Sequence, residues 1–99
     1  MSKFGDLIQS QKLVLADFSA SWCGPCQTLA PILKNVATRV GSQAKIVKID
    51  VDQNQALASK LNVRSVPTLI LYKNGEPVWR QSGVVPADQL VKLIEGYDG

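Results

Sequence analysis

The sequence predicts an α/β fold, a central mixed sheet of about four strands flanked by helices. Three observations predict it. Apolar, β-branched runs alternate with segments of helical periodicity in the order β-α-β-α-β-β-α. The leading β-α-β unit implies parallel pairing through a right-handed crossover. Asn74-Gly75, between two later strand-like runs, is a strong hairpin signal and adds antiparallel strands. With 99 residues and 45% apolar content, the chain is expected to form a single domain over residues 1–99.

Taken in order, Phe4, Leu7 and Ile8 fit a short helical turn, and Leu13 to Phe18 reads as a buried strand. Leu29, Ile32, Leu33, Val36 and Val40 then recur at steps of three and four and stop at Gly41, which marks an amphipathic helix with a glycine end. Pro31 lies inside that helix and is expected to kink it, because proline removes a backbone bond and crowds the preceding turn. Lys45 to Val51 is a second strand, and Gln55 to Leu61 a short helix with Asp52 or Asn54 as its cap. Thr68 to Tyr72 and Val78 to Ser82 flank the hairpin turn. Pro86 can open a last helix with an apolar face of Leu90, Leu93, Ile94 and Tyr97. No internal repeat, linker or low-complexity segment interrupts this order.

Composition narrows the function. Lys and Arg outnumber Asp and Glu by 11 to 8, but Lys34, Arg39, Lys45, Lys48, Lys60, Arg64, Lys73 and Arg80 are scattered. A nucleic-acid binder concentrates such charge on one face, so no nucleic-acid partner is expected. No apolar run approaches the roughly 18 residues that span a bilayer, so no membrane role is expected either. The opening MSKFGDL lacks the apolar core of a secretory signal, and a cytoplasmic location is expected. There a disulfide is usually transient.

The stretch SWCGPCQ, residues 21–27, holds both cysteines of a chain without histidine. Zinc asks for about four ligands, so a complete site would need carboxylates or a second copy. Inert buried thiols fit poorly, because Ser21, Gly24, Pro25 and Gln27 make the neighbourhood a turn. As a permanent staple, the small closed loop would contribute only about 2 kcal/mol. A redox pair explains more. Cys23 falls where a helix opens directly after a strand, and there the free N–H groups and the macrodipole favour a thiolate. Pro25 restricts the loop and keeps Cys26 near enough to attack a mixed disulfide formed at Cys23.

Asp17-Phe18, Trp22-Cys23-Gly24-Pro25-Cys26, Pro31, Ile49-Asp50-Val51-Asp52, Val66-Pro67-Thr68, Lys73-Asn74-Gly75 and Gly83 stand in the order and spacing of the thioredoxin family. From about Val14 to its end the chain resembles that family, which implies a thioredoxin fold and a thiol–disulfide oxidoreductase acting as a general protein disulfide reductase. The resemblance implies disulfide-containing proteins as substrates, a thioredoxin reductase as electron donor, no bound cofactor and a monomer. Cys23 resembles the attacking cysteine and Cys26 the resolving one. The pattern alone leaves Asp17 either on a solvated face or buried at a cost. The resemblance implies the buried acid behind the cysteines, with its pKa lifted by desolvation. Lys48 aligns with the lysine near that acid, though by itself it is an ordinary strand lysine. Trp22, Gly24, Pro25, Val66, Pro67 and Gly83 align with the substrate-docking surface. The resemblance also implies a cis Val66–Pro67 bond facing the cysteines, with the Val66 backbone left to pair with an extended substrate. Trp79 is assigned to packing or surface on the hairpin.

Three positions depart from the family pattern. Ser19 stands where a large aromatic is common, and Gln27 where a basic residue is common. Too few residues precede Leu13 for the extra first strand of many thioredoxins. Two rival readings stay open at this point. One is an oxidase or isomerase domain, against which Gly24-Pro25 argues; the other is a binding subunit that uses the same surface without redox turnover.

Overall fold

The structure, a computed structural model, describes residues 3–99. In chain order it contains α1 (Lys3–Ile8), β1 (Leu13–Ser19), α2 (Gly24–Val40), a 3-10 turn (Gly41–Gln43), β2 (Lys45–Asp50), α3 (Gln55–Lys60), β3 (Thr68–Lys73), β4 (Glu76–Ser82) and α4 (Ala87–Asp98). The four strands form one sheet in the order β2-β1-β3-β4. β1 pairs parallel with β2 and antiparallel with β3, which in turn pairs antiparallel with β4. The mixed sheet and its expected strands are therefore present, and so is the short N-terminal helix.

β1 is central and buried at every position, which is why its sequence runs apolar without alternating. Its odd-numbered residues Leu13 and Leu15 pack with Leu29, Leu33 and Val36 of α2 and Leu90 and Ile94 of α4. Its even-numbered residues Val14, Ala16 and Phe18 form a second core with Ile8, Ile70 and Tyr72, against which Phe4, Leu57 and Leu61 rest. Burying each such side chain stabilises the fold by about 1.5–3 kcal/mol. The Phe4 ring meets Tyr72 edge-on at 5.7 Å and lies 6.0 Å from Phe18, so α1, only 6 residues long, is held by its aromatic anchor.

α2 continues through Pro31, which lies on its exposed side, and ends at Gly41. Gly41 takes a φ of +56° and donates its N–H to the Ala37 carbonyl. α3 corrects one expectation. Asn54 occupies the position before the helix, yet neither its side chain nor that of Asp52 caps it. Asn54 Nδ2 donates instead to the Asp50 carbonyl at 2.8 Å, and Asp52 is engaged elsewhere.

The hairpin turn has positive φ at both central residues, +53° at Asn74 and +83° at Gly75, which suits the twist of the flanking strands. Its ladder is irregular beyond the turn: Leu71 faces Trp79 while Tyr72 faces Pro77, leaving Val78 as an extra residue. Proline is tolerated there because β4 is an edge strand. Trp79 packs against the α2–α4 core, which is the packing alternative of the two expected for it. α4 adds Val91 to the expected apolar face, and Tyr97 donates its hydroxyl to the Val78 carbonyl at 3.1 Å. Among the described residues no helix is long and apolar enough to cross a membrane.

Candidate active site

The end of β1 feeds the site. Val51 N–H donates to the Ser19 carbonyl at 2.9 Å, and Cys23 N–H to the Ala20 carbonyl at 3.2 Å, so the chain turns sharply off the sheet into α2. Cys23 is the N-cap of that helix, extended in backbone, with Pro25 in the first turn, where the missing N–H costs nothing. Cys26 N–H donates to Cys23 Sγ at 3.2 Å. The first turn of the 17-residue helix thus places a backbone N–H on the Cys23 sulfur, and the helix N-terminus favours its anion. Cys23 and Cys26 are disulfide-bonded, with their Cα atoms 5.2 Å apart.

Exposure does not separate the two cysteines, since each is 4% exposed. Position does. Cys23 is flanked by exposed Trp22 and Gly24, with Pro25 also exposed, whereas Cys26 belongs to the buried side of α2. Ala20 and both cysteines pack with Val51 and Val66. Cys23 Sγ lies 3.6 Å from the Val66 carbonyl oxygen. The Val66–Pro67 bond is cis, and Pro67 is buried. The Pro67 carbonyl accepts the Gly83 N–H at 2.9 Å, and Gly83 holds a φ of +94°, a conformation that favours glycine.

Trp22 is 69% exposed, its indole held by an Nε1–H bond to Asp52 Oδ2 at 2.8 Å. Between the indole and the Val66 segment lies a shallow pocket of about 170 Å³, lined by Trp22, Val51, Val63, Arg64, Ser65 and Val66. The structure therefore brings Trp22, Cys23, Cys26 and Val66 together, links Gly83 to them through Pro67, and leaves Gly24 and Pro25 exposed beside the sulfurs. Two contributors escape a reading of the sequence. Asp52 looks like a helix cap there, although it holds the indole. Gln27 donates from Nε2 to the Ser21 carbonyl at 3.2 Å, closing the loop from the far side of the cysteines.

Asp17 and Lys48 form a separate pair. They face each other in the β1–β2 register and line a separate cavity of about 300 Å³ between α2 and β2, with Ala30, Leu33, Lys34, Ala37, Ile46 and Val47. Asp17 is 3% exposed. Burial pushes its carboxyl from 3.8 up to about 6, against the opposing pull of the Lys48 charge. Lys48 itself is exposed.

Two sulfurs joined across the cap and first turn of one helix, with an anion-favouring backbone on the Cys23 sulfur, can close and open with little movement. The fold and this site define a thiol–disulfide oxidoreductase. The sequence profile of the Thioredoxin family matches residues 1–96. A thioredoxin of Staphylococcus saprophyticus is 47% identical over 96 residues, covering 97% of this chain and 91% of that protein. The chloroplastic thioredoxin Y of rice is 43% identical over 95% of this chain, which spans 56% of that relative's length. Among solved structures, a mutant thioredoxin from Halobacterium salinarum superposes with a TM-score of 0.91 at 45% identity, covering 100% of this chain and 86% of the other. The chain belongs to the thioredoxin family, and its class of reaction is protein-disulfide reduction.

Proposed function

We propose that this chain is a monomeric, single-domain reductase of the cytoplasm that maintains cellular redox balance by passing electrons from a thioredoxin reductase to disulfide-containing proteins, without a bound cofactor. The Cys23 thiolate attacks a substrate disulfide, forming a mixed disulfide and expelling one substrate thiolate. Asp17 takes the Cys26 proton, and Cys26 attacks the Cys23 sulfur. The second substrate thiolate leaves, and the Cys23–Cys26 disulfide forms. A reductase then returns two electrons to it. An extended substrate segment pairs with the Val66 backbone and rests on Trp22, Gly24, Pro25, Pro67 and Gly83, while Lys48 moderates the charge on Asp17.

The observation that carries this reading is Cys23 as helix cap, with Cys26 N–H on its sulfur. The test is insulin reduction driven by a thioredoxin reductase, run beside single-cysteine variants. Wild type should turn over. Cys23→Ser should be silent, and Cys26→Ser should attack once and stay covalently joined to substrate, visible by mass spectrometry. Adducts on Cys23→Ser and none on Cys26→Ser would reverse the two roles. Full cellular function in a variant lacking both cysteines would favour a binding subunit instead.

A further inference from the structure

Two buried side-chain atoms have no hydrogen-bond partner among the described residues, Asp17 Oδ1 and Ser19 Oγ. They are not scattered. Both belong to β1, two residues apart, so both side chains leave the same face of the strand. That is the face of Leu13 and Leu15, the one covered by α2 and α4. Same-face neighbours on a strand are about 6.6 Å apart at Cα, a gap that one water can bridge between an aspartyl arm and a serine hydroxyl. Buried polar groups nearly always find partners. Here the chemistry is complementary, since an ionised carboxylate only accepts and a hydroxyl can donate.

We infer that Ser19 is a positioning residue for Asp17: its hydroxyl donates to the Asp17 carboxylate through one bridging water whenever that carboxylate is ionised. The inference rests on the reading of Asp17 as the proton acceptor for Cys26. During that step the Cys26 proton moves to the Asp17 carboxylate, and Ser19 keeps its own proton throughout. A donor that favours the anion makes Asp17 ionise at lower pH, and so makes it ready to accept at neutral pH. The other charges around Asp17 are Lys34 from α2 and Lys48 from β2, both exposed and lining its cavity. Solvent and salt weaken their pull. β3 contributes Leu69 beside Asp17, and α4 brings Leu90, Val91 and Ile94 to this core. Ser19, at 1% exposed, is the polar group that solvent cannot screen. An aromatic ring at this position would fill the space without supplying the hydroxyl.

The test follows the Asp17 carboxyl carbon by NMR in the reduced protein, together with the pH profile of insulin reduction. Ser19→Ala should raise the Asp17 midpoint by about one pH unit, a tenfold gain in proton affinity. The acid limb of the turnover profile should move up with it. Ser19→Thr keeps the hydroxyl and should restore both. A midpoint unmoved in Ser19→Ala, or moved equally in Ser19→Thr, overturns the role of Ser19. Asp17→Asn separates the two readings. Undiminished turnover in that variant defeats Asp17 as acceptor, whereas slowed turnover beside an unmoved Ser19→Ala midpoint defeats the Ser19 inference alone.

Discussion

Asp17 shows what a single carboxyl costs when a strand carries it into the core. Its folded pKa of about 6 lies above the ordinary 3.8, because burial disfavours the charge more than Lys48 favours it. The native state therefore holds the proton more tightly than the unfolded chain. Stability from the neutral acid is fully present below the unfolded value and is lost as pH rises through about 6. The loss amounts to roughly 3 kcal/mol above that range, at about 1.4 kcal/mol per pH unit. Asp17→Asn keeps the shape and never charges. Urea unfolding should find it about 3 kcal/mol more stable than wild type near pH 7.5, with the gap closing toward pH 4. A gap that stays constant across that range would mean the carboxylate suffers no desolvation. The sequence left this residue undecided for a physical reason. β1 is buried on both faces, so no alternation of polar and apolar positions marks which side chains point inward.

At the scale of elements, the hairpin makes the sharpest demand on residue type. Gly75 holds a φ of +83°, and a Cβ placed there would lie 2.9 Å from Gln9 Cγ. Gly75→Ala should destabilise by about 1–2 kcal/mol through backbone strain, with an added part from the Gln9 contact. Adding Gln9→Ala to Gly75→Ala should recover only that second part, which thermal denaturation of the four proteins would resolve as a double-mutant cycle. Full recovery would mean that crowding, and not backbone conformation, demands glycine. The turn was legible because Asn74-Gly75 is a local signal, as was α2, whose apolar face repeats over 17 residues. What escaped were choices settled over distance. Asp52 looks like a helix cap in sequence, but the indole of Trp22, 30 residues earlier, claims its carboxylate. The bulge at Val78 is invisible for the same reason: it is a matter of how β4 meets β3. Ser19 is legible as a departure from the family pattern, but only the fold shows that its hydroxyl is buried without a partner on the same strand face as Asp17.

Across the whole molecule, the distant sheet edge is tied to the segment that meets the cysteines. Arg80 on β4 donates from Nη1 to the Leu61 carbonyl and from Nη2 to the Asn62 carbonyl, both at 2.6 Å. α3, with 6 residues, is too short to hold by its own hydrogen bonds, and its end leads directly into Val63 to Val66. Arg80→Met keeps much of the apolar stem and removes the clasp. It should cost about 1–3 kcal/mol and speed amide exchange at residues 61–66 more than in α2. Exchange that rises uniformly would show a general loss of stability with no special tie to this segment. The opposite edge has a different consequence. β2 has β1 as its only strand neighbour in the described sheet, so half of its ladder faces outward. An open ladder is a template on which another chain can nucleate. Lys45 and Lys48 stand exposed on that strand, and two copies meeting there bring like charges together. These two lysines, one of them facing the buried acid, are expected to act together as a colloidal gatekeeper. Concentrated solutions should stay repulsive at low salt and turn attractive as the screening length falls toward about 3 Å at 1 M, a change that static light scattering reads as a falling second virial coefficient. Lys45→Gln should bring that crossover to lower salt, and an unchanged crossover would place the repulsion elsewhere on the surface.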